Sequence, residues 1–283
     1  MTDNLRGSLF MVLSMAGFAV EDMFLKSAAM QMPLGQVLLA MGLVGMVWFA
    51  GLSLRRGDAP VPWAIWSHMM VIRSGFELLG RMFYALALAL TPLSVASAIL
   101  QATPLVVVLG AAVLLGEKVS LKRWLVTVLG FGGVLVILRP GMAGFDVLSL
   151  LAVVGLIGFA GRDLATRAAP PALSNAQLGL AGFGVLALSG LLMLTVSGGI
   201  LVPSAQGAGL LAGAAGFGVL GYSALTRAMR TGDVSAVTPF RYTRLLFAMV
   251  LGVTLFGERP DAATLIGSGI IVLCGLLILT KRA

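Results

Sequence analysis

The chain has 283 residues, of which 59% are hydrophobic and only 11% are charged, and its mean hydropathy is +1.04. This composition excludes a water-soluble globular protein, because it leaves too little polar surface. In a membrane protein the net charge of +8 is explained by basic residues that set the orientation of the spans, and it does not indicate a nucleic-acid partner. The lone cysteine, Cys274, excludes an internal disulfide.

Ten apolar runs follow one another along the chain, separated by short connectors rich in proline, glycine and charge. A helix needs about 20 apolar residues to cross a bilayer, whereas a barrel strand needs only about ten of alternating character. The predicted spans are 6–27, 34–54, 63–89, 92–115, 121–138, 146–167, 177–198, 205–228, 233–256 and 262–280. The sequence thus predicts an all-α membrane protein with ten transmembrane helices.

The second half of the chain repeats the first. Leu-Leu-Gly-Glu-Lys at 114–118 returns as Leu-Phe-Gly-Glu-Arg at 255–259, an offset of 141 residues (255 minus 114). Two halves of five spans each must lie in opposite orientations, as they do in many secondary transporters. We expect a first five-helix repeat over 1–141 and a second, inverted repeat over 142–283.

Lysine and arginine are unevenly divided between the two sets of connectors. With the N-terminus in the cytoplasm, eleven fall on the cytoplasmic side and three on the outside. Positive charge is retained on the cytoplasmic side of a membrane. Both termini are therefore predicted to be cytoplasmic.

Nine charged residues lie within the predicted spans and away from the span ends. An ionised side chain at the bilayer centre costs at least about 2.5–3.5 kcal/mol, so each is expected to face a wet cavity or another charge. They are Arg73, Arg81, Arg162, Arg241 and Arg244 with the acids Glu21, Asp22, Glu77 and Asp163.

Arg73, Glu77 and Arg81 follow one another at intervals of four, which places them on one face of the third span. A structural ladder of salt bridges explains this spacing. For Arg81 a substrate role also fits, because a guanidinium can hold a carboxylate through two bonds. Tyr84, three residues further on, offers an aromatic wall or a hydroxyl.

Arg241 and Arg244 lie three residues apart in the ninth span and need partners from other spans. We expect Arg244 to lie deeper and to be the substrate binder. The neighbours Arg162 and Asp163 point about 100° apart on a helix, so they should serve different contacts. A gate or a topology anchor fits this pair as well as a substrate contact does.

Glu21 and Asp22 have two interpretations. With Lys26 they form a cluster near the membrane surface, or they couple transport to protons, because an acid in a half-dry cavity can exchange a proton between the two sides. Pro104 and Pro239 lie within predicted spans, where proline removes a helical hydrogen bond and can act as a hinge.

Aromatic side chains near the predicted pathway suit an apolar substrate surface; those selected are Phe159, Tyr222 and Phe240. Enzymatic chemistry has little support. The chain has one histidine, one cysteine, no metal-ligand cluster and no phosphate-binding loop. The sequence predicts no enzyme, no cofactor and no metal site.

A set of short motifs in the first half is similar to the drug/metabolite transporter superfamily, in its ten-span branch. The motifs are Ala-Thr-Pro-Leu at 102–105, Leu-Gly-Glu-Lys at 115–118, Arg-Trp-Leu at 123–125 and Leu-Arg-Pro-Gly at 138–141. The resemblance implies a bacterial inner-membrane exporter of amino acids, aromatic and other neutral ones, working by alternating access. It also implies a central cavity lined by helices 1, 3, 4, 6, 8 and 9.

Other substrates suit the same architecture: a nucleoside-like or vitamin-like metabolite or a drug, taken up or exchanged for protons. A passive channel would need a continuously polar pore, which the mostly apolar spans do not supply. A membrane scaffold would have no use for the charges inside its spans. We expect a monomer whose partners are a small-molecule substrate and the lipid bilayer, without nucleic acid.

Overall fold

The computed structural model describes residues 2–90, 99–138, 148–197, 199–256 and 262–279, and within these ranges every regular element is helical. The helices are α1 (Asp3–Ala29), α2 (Leu34–Arg55), α3 (His68–Leu90), α4 (Thr103–Leu114), α5 (Leu121–Leu138), α6 (Ser149–Arg167), α7 (Asn175–Ser197), α8 (Ala205–Arg230), α9 (Val234–Val237), α10 (Thr243–Phe256) and α11 (Ala262–Leu279).

The predicted spans agree with these helices except at a few places. The third begins with a separate 3₁₀ turn, Trp63–Trp66, before α3. The ninth is broken into α9, a 3₁₀ segment at Thr238–Tyr242 and α10, and Pro239 lies in the break. Residues 92–98 of the fourth span and the repeat boundary at 141 lie outside the described ranges.

Pro104 lies at a helix start and not inside a continuous helix, because residues 101 and 102 form a turn before α4, and its role as a hinge stays a prediction. It lies in the first turn of α4, after Ala102 at the N-cap. The first N–H groups of a helix have no intrahelical partner, so a proline there removes no hydrogen bond. Pro239 is different, because it starts the 3₁₀ segment that separates two helices.

Four of the described helices are long and apolar enough to cross a membrane: α1, α2, α8 and the 175–195 part of α7. Helix α3 is as long as α7 but carries three ionisable residues along its centre. The described apolar parts of α4 and α11 are shorter. Ten crossings therefore stay a prediction.

The distribution of apolar and charged side chains differs from that of a soluble protein. Large apolar side chains such as Leu13, Val47 and Leu192 are exposed on the helices. Ionisable side chains, among them Arg73 and Glu77, are buried. This distribution is expected where lipid is the solvent.

The most extensive packing joins α1 with α8, α2 with α7, α3 with α6 and α5 with α11. Glycines allow the backbones to approach closely at the crossings. A β-carbon placed on Gly158 in α6 would lie 2.6 Å from the Cα of Gly80 in α3, and one placed on Gly17 in α1 would lie 3.0 Å from the Cα of Gly221 in α8. The two crossings correspond, since 158 minus 17 and 221 minus 80 are both 141.

Candidate functional site

Glu77 is the centre of a buried ionic network between α3, α6 and α8. Its carboxylate accepts a hydrogen bond of 2.8 Å from the Tyr222 hydroxyl and lies 3.5 Å from both Arg73 and Arg81. Arg162 approaches it from α6 at 3.4 Å. Arg73 in turn donates to the Tyr222 hydroxyl at 2.5 Å. The predicted ladder on α3 is present, and Tyr222 is part of it.

A second acid extends this network to the break before α10. Asp163 accepts a hydrogen bond of 2.9 Å from Nε of Arg162 and forms a close ion pair with Arg241. As expected, Arg162 and Asp163 have different partners, Glu77 and Arg241, but they also bond to each other. The Cα–Cβ bonds of the two residues point apart. The long Arg162 side chain nevertheless folds back to Asp163 while it also reaches Glu77.

These charges do not balance. The central cluster, as we call it, contains four guanidinium groups and two carboxylates, from Arg73, Arg81, Arg162, Arg241, Glu77 and Asp163. Two buried guanidinium nitrogens, Nη1 of Arg73 and Nε of Arg81, have no hydrogen-bond partner within the described part of the chain. Buried donors without acceptors are costly. The cluster is thus suited to an additional anionic group.

A separate ion pair joins α1 to α10. Asp22 accepts a hydrogen bond of 3.0 Å from Nε of Arg244, whose guanidinium also lies 5.5 Å from the centre of the Phe18 ring. Arg244 is therefore engaged and less deep than Arg241, contrary to the expectation. Glu21 packs beside Asp22, against the bare backbone of Gly218.

The selected aromatic residues are placed differently from one another. Tyr84 and Phe159 meet edge to face at 6.0 Å, and Phe159 also contacts the Arg162 guanidinium at 5.3 Å. Tyr222 is buried within the ionic network. Phe240 is buried in an apolar cluster that includes Met15, apart from the charged groups. Tyr84 and Phe159 are thus the pair that borders the central cluster.

Side-chain exposure falls steadily across these groups. It is 55% at Asp22, 27% at Arg244, 18% at Arg81, 1% at Arg73 and 0% at Glu77. The open side is toward the C-terminal half of α1, which contains Asp22. The gap beside Arg73 and Arg162 has a cavity volume of about 0 Å³, without room for a water molecule, whereas ordinary ligand pockets measure roughly 300–1,000 Å³. Side chains must move before a metabolite fits at this depth.

The opposite end of α1 is joined to neighbouring segments by polar contacts that the sequence analysis missed. The Glu117 carboxylate accepts hydrogen bonds from the backbone N–H groups of Val234 and Ser235, at 2.9 and 3.1 Å. Arg123 donates to Asp233 at 2.8 Å and to the Ser235 hydroxyl at 2.9 Å.

Asn4 completes this set, which we call the end cluster. Its side-chain oxygen accepts a hydrogen bond of 2.7 Å from the backbone N–H of Asp233. The end cluster thus ties α1, the α4–α5 connector and α5 to the start of α9. It lies 18 residues before Asp22 along α1, about 27 Å at 1.5 Å per residue. The sequence signal was the Gly-Glu-basic turn at 116–118, which identified the repeat but no partner.

A second signal was also present in the sequence. Gly-Phe-Ala-Val-Glu-Asp at 17–22 returns as Gly-Phe-Ala-Gly-Arg-Asp at 158–163. The aromatic ring of each copy covers a glycine of the helix that it crosses, Phe18 over Gly221 and Phe159 over Gly80. The aspartate of each copy binds an arginine near the start of α10. This motif would have located the site from both halves.

Apolar helices that expose leucine and valine and bury a network of arginines and carboxylates define a multi-pass membrane protein. The model of the EamA-like transporter family matches the chain twice, at residues 5–139 and 145–280. The chain belongs to this family, which is part of the drug/metabolite transporter superfamily. It is a small-metabolite transporter and not an enzyme.

Curated relatives are named for different substrates and directions. An S-adenosylmethionine uptake transporter of Rickettsia felis is 26% identical over 74% of this chain and 70% of its own. A riboflavin transporter of Rhizobium johnstonii is 24% identical over 98% and 91%. The pseudopaline exporter CntI of Pseudomonas aeruginosa is 26% identical over 98% and 97%. The family thus does not fix the substrate.

One solved structure, described only as a crystal structure of a protein, has the same fold. Its TM-score to this chain is 0.80 over 98% of this chain and 99% of its own, at 20% sequence identity. At this identity the likeness concerns the fold alone.

Proposed function

We propose that the chain is a secondary transporter of the bacterial inner membrane that exports amino acids, aromatic and other neutral ones, by alternating access. The observation that carries the proposal is the central cluster, where facing helices hold more arginines than acids. A metabolite carboxylate supplies the missing negative charge there. Arg81 and Arg244 bind the substrate from its open side, Glu77 and Tyr222 hold the arginines in position, and Tyr84, Phe159 and Phe240 form apolar surface.

Ten spans in two inverted repeats underlie this mechanism, with both termini in the cytoplasm and a single chain as the transporting unit. The pairing of helices supports the repeat. Under the 141-residue offset, the α1–α8 pair corresponds to the α6–α3 pair. The two matches to the family model, one in each half, support it as well. Inverted repeats exchange conformations when the protein changes the side on which it is open.

Alternating access assigns a part to each end of the bundle. The end cluster closes the side of the N-terminus, while the graded exposure from Asp22 to Glu77 leaves the other side accessible. Opening the first side must break the end cluster. The break at Pro239 is a hinge that lets α9 move with respect to α10, and Arg162 with Asp163 couples that movement to α6.

Loss of the end cluster is expected to open the N-terminal side. Arg123→Gln removes a partly exposed ion pair with Asp233, worth about 0–1 kcal/mol, and a hydrogen bond to Ser235, worth about 0.5–1.5 kcal/mol. A cysteine probe introduced by Thr226→Cys, in a Cys274→Ala background, lies buried in α8 between the two clusters. We expect a hydrophilic maleimide to label it about tenfold faster in the Arg123→Gln variant. Lys122→Gln is the matched control, and equal labelling in all three proteins would contradict the gating role.

Counterflow in proteoliposomes tests the proposed function. The purified protein is loaded with unlabelled phenylalanine, threonine, a nucleoside or riboflavin, and entry of the labelled compound is followed with and without a pH gradient. Saturable amino-acid counterflow is the expected result. Nucleoside or riboflavin counterflow in its place would retain the transporter and overturn the amino-acid substrate, which is the alternative that the named relatives favour. A response to the gradient would assign proton coupling.

A further inference from the structure

Glu21 is a partly exposed residue on the side of α1 that faces α8. Its neighbour Asp22 binds Arg244, but Glu21 forms no ion pair with any side chain that the structure describes. Its carboxylate rests on α8, where a β-carbon placed on Gly218 would lie 3.0 Å from Oε1. An ionised carboxylate in such a place is costly unless a cation accompanies it.

The repeat explains what is missing. The offset of 141 residues pairs Glu21 with Arg162 and Gly218 with Glu77 (162 minus 21, and 218 minus 77). Between α3 and α6 these positions hold a complete ion pair at 3.4 Å, Arg162 with Glu77. Between α1 and α8 they hold an acid that faces a glycine. At the α3–α6 crossing the acid is thus paired with an arginine from the facing helix, whereas at the α1–α8 crossing Glu21 has no ion-pair partner among the described side chains.

Arg81 has the opposite problem, because it is a guanidinium without an acid of its own. Its Nε is buried without a hydrogen-bond partner in the described ranges, and its Nη2 shares Glu77 with Arg73 and Arg162. Arg81 and Glu21 interact electrostatically, yet their charged groups form no ion pair. Glu21 lies against Gly218 of α8. Tyr222, one turn further along α8, bonds to Glu77, which Arg81 also contacts.

We propose that Glu21 and Arg81 together bind the head group of a zwitterionic α-amino acid, with its ammonium at Glu21 and its carboxylate at Arg81. The inference rests on the proposed function and names the chemistry that its site recognises. One carbon joins the two charges of such a head group, so a single substrate completes both pairs without adding net charge. The Tyr84–Phe159 pair beside this position receives the substrate side chain.

Two analogues separate the two halves of the head group. Phenylalanine carries both charges, 3-phenylpropanoate lacks the ammonium and 2-phenylethylamine lacks the carboxylate. Each is used as a competitor of labelled phenylalanine counterflow by the full-length protein in proteoliposomes. In the unmodified protein we expect both analogues to compete at least about tenfold less well than phenylalanine.

The variants should remove this discrimination one charge at a time. Glu21→Gln is expected to raise the KM for phenylalanine about ten- to hundredfold and to make it equivalent to 3-phenylpropanoate as a competitor. Arg81→Gln should make phenylalanine equivalent to 2-phenylethylamine. Gly218→Ala, whose β-carbon would shift the Glu21 carboxylate by a few tenths of an ångström, should change the KM in the same direction but by less. Gly216→Ala is its matched control, because a β-carbon there meets nothing within 4 Å.

The outcomes distinguish this inference from the proposed function. An unchanged KM and unchanged analogue ranking in both Glu21→Gln and Gly218→Ala would overturn the inference and leave transport intact. Loss of the pH-gradient response with an unchanged KM would assign Glu21 to proton coupling and would overturn it as well. Counterflow of riboflavin or a nucleoside, without counterflow of amino acids, would also overturn the inference. Absence of counterflow with every compound would overturn the proposed function itself.

Discussion

Glu77→Gln is expected to destabilise the folded protein by about 3–5 kcal/mol, the usual result of removing one partner from a buried ion pair. The carboxylate faces Arg73, Arg81 and Arg162 and has no exposure of its own. Glutamine has nearly the same shape, so packing is retained and the effect reports charge. Three guanidinium groups then lie together without their shared acid, and unfolding or failure to insert relieves their repulsion.

Thermal unfolding in detergent, with the folded yield from size-exclusion chromatography, measures this effect. Asp22→Asn is the control, because its ion pair with Arg244 is exposed and such pairs contribute only about 0–1 kcal/mol. The double variant Glu77→Gln with Arg73→Gln should be less destabilised than the sum of the two single variants by about 0.5–3 kcal/mol. Equal midpoints for Glu77→Gln and the unmodified protein would mean that the arginines are not held by this acid.

The helices and the inward direction of the charged side chains could be predicted from the sequence. An apolar run of about 20 residues crosses the bilayer as a helix. A charged side chain within such a helix must face the protein interior and not the lipid. The spacing of Arg73, Glu77 and Arg81 also predicts their common face. These inferences concern a single helix, where the geometry is fixed by the helical repeat.

Contacts between side chains of different helices could be predicted less well from the sequence. The partner of Arg244 was left open because nothing in one helix says which acid of another lies at the same depth. Adjacent helical residues point about 100° apart, which does not predict the bond between Arg162 and Asp163. The arginine side chain is long enough to fold back to its neighbour. Glu117 marked the repeat, but its bonds to the start of α9 depend on how the connector folds.

Pro104 illustrates a different limit. A proline is compatible with both the interior of a kinked helix and the first turn of a straight one, and only the position of the helix start decides between them. The structure starts α4 at Thr103. Pro239 had the same two interpretations, and it lies in a 3₁₀ segment between two helices, whereas Pro104 follows a turn at residues 101 and 102.

Gly158→Ala is expected to destabilise the protein by about 1–3 kcal/mol, the range for adding a methyl group to a packed interior. The new β-carbon would lie 2.6 Å from the Cα of Gly80 and 2.8 Å from the carbonyl oxygen of Phe76. Both neighbours are backbone atoms of α3, so no side-chain rotation relieves the clash. Helices α3 and α6 must separate, and the Arg162–Glu77 contact across the same crossing lengthens with them.

The corresponding change in the other repeat should be milder. A β-carbon on Gly17 would lie 3.0 Å from the Cα of Gly221, which a shift of a few tenths of an ångström relieves. Gly75→Ala on α3 meets nothing within 4 Å and should be neutral or slightly stabilising, since alanine is the better helix former. Thermal unfolding should therefore rank Gly158→Ala lowest, Gly17→Ala next and Gly75→Ala highest. Equal unfolding temperatures for Gly158→Ala and Gly75→Ala would mean that α3 and α6 do not pack backbone to backbone. The structural correspondence between the α3–α6 and α1–α8 crossings would then be wrong as well.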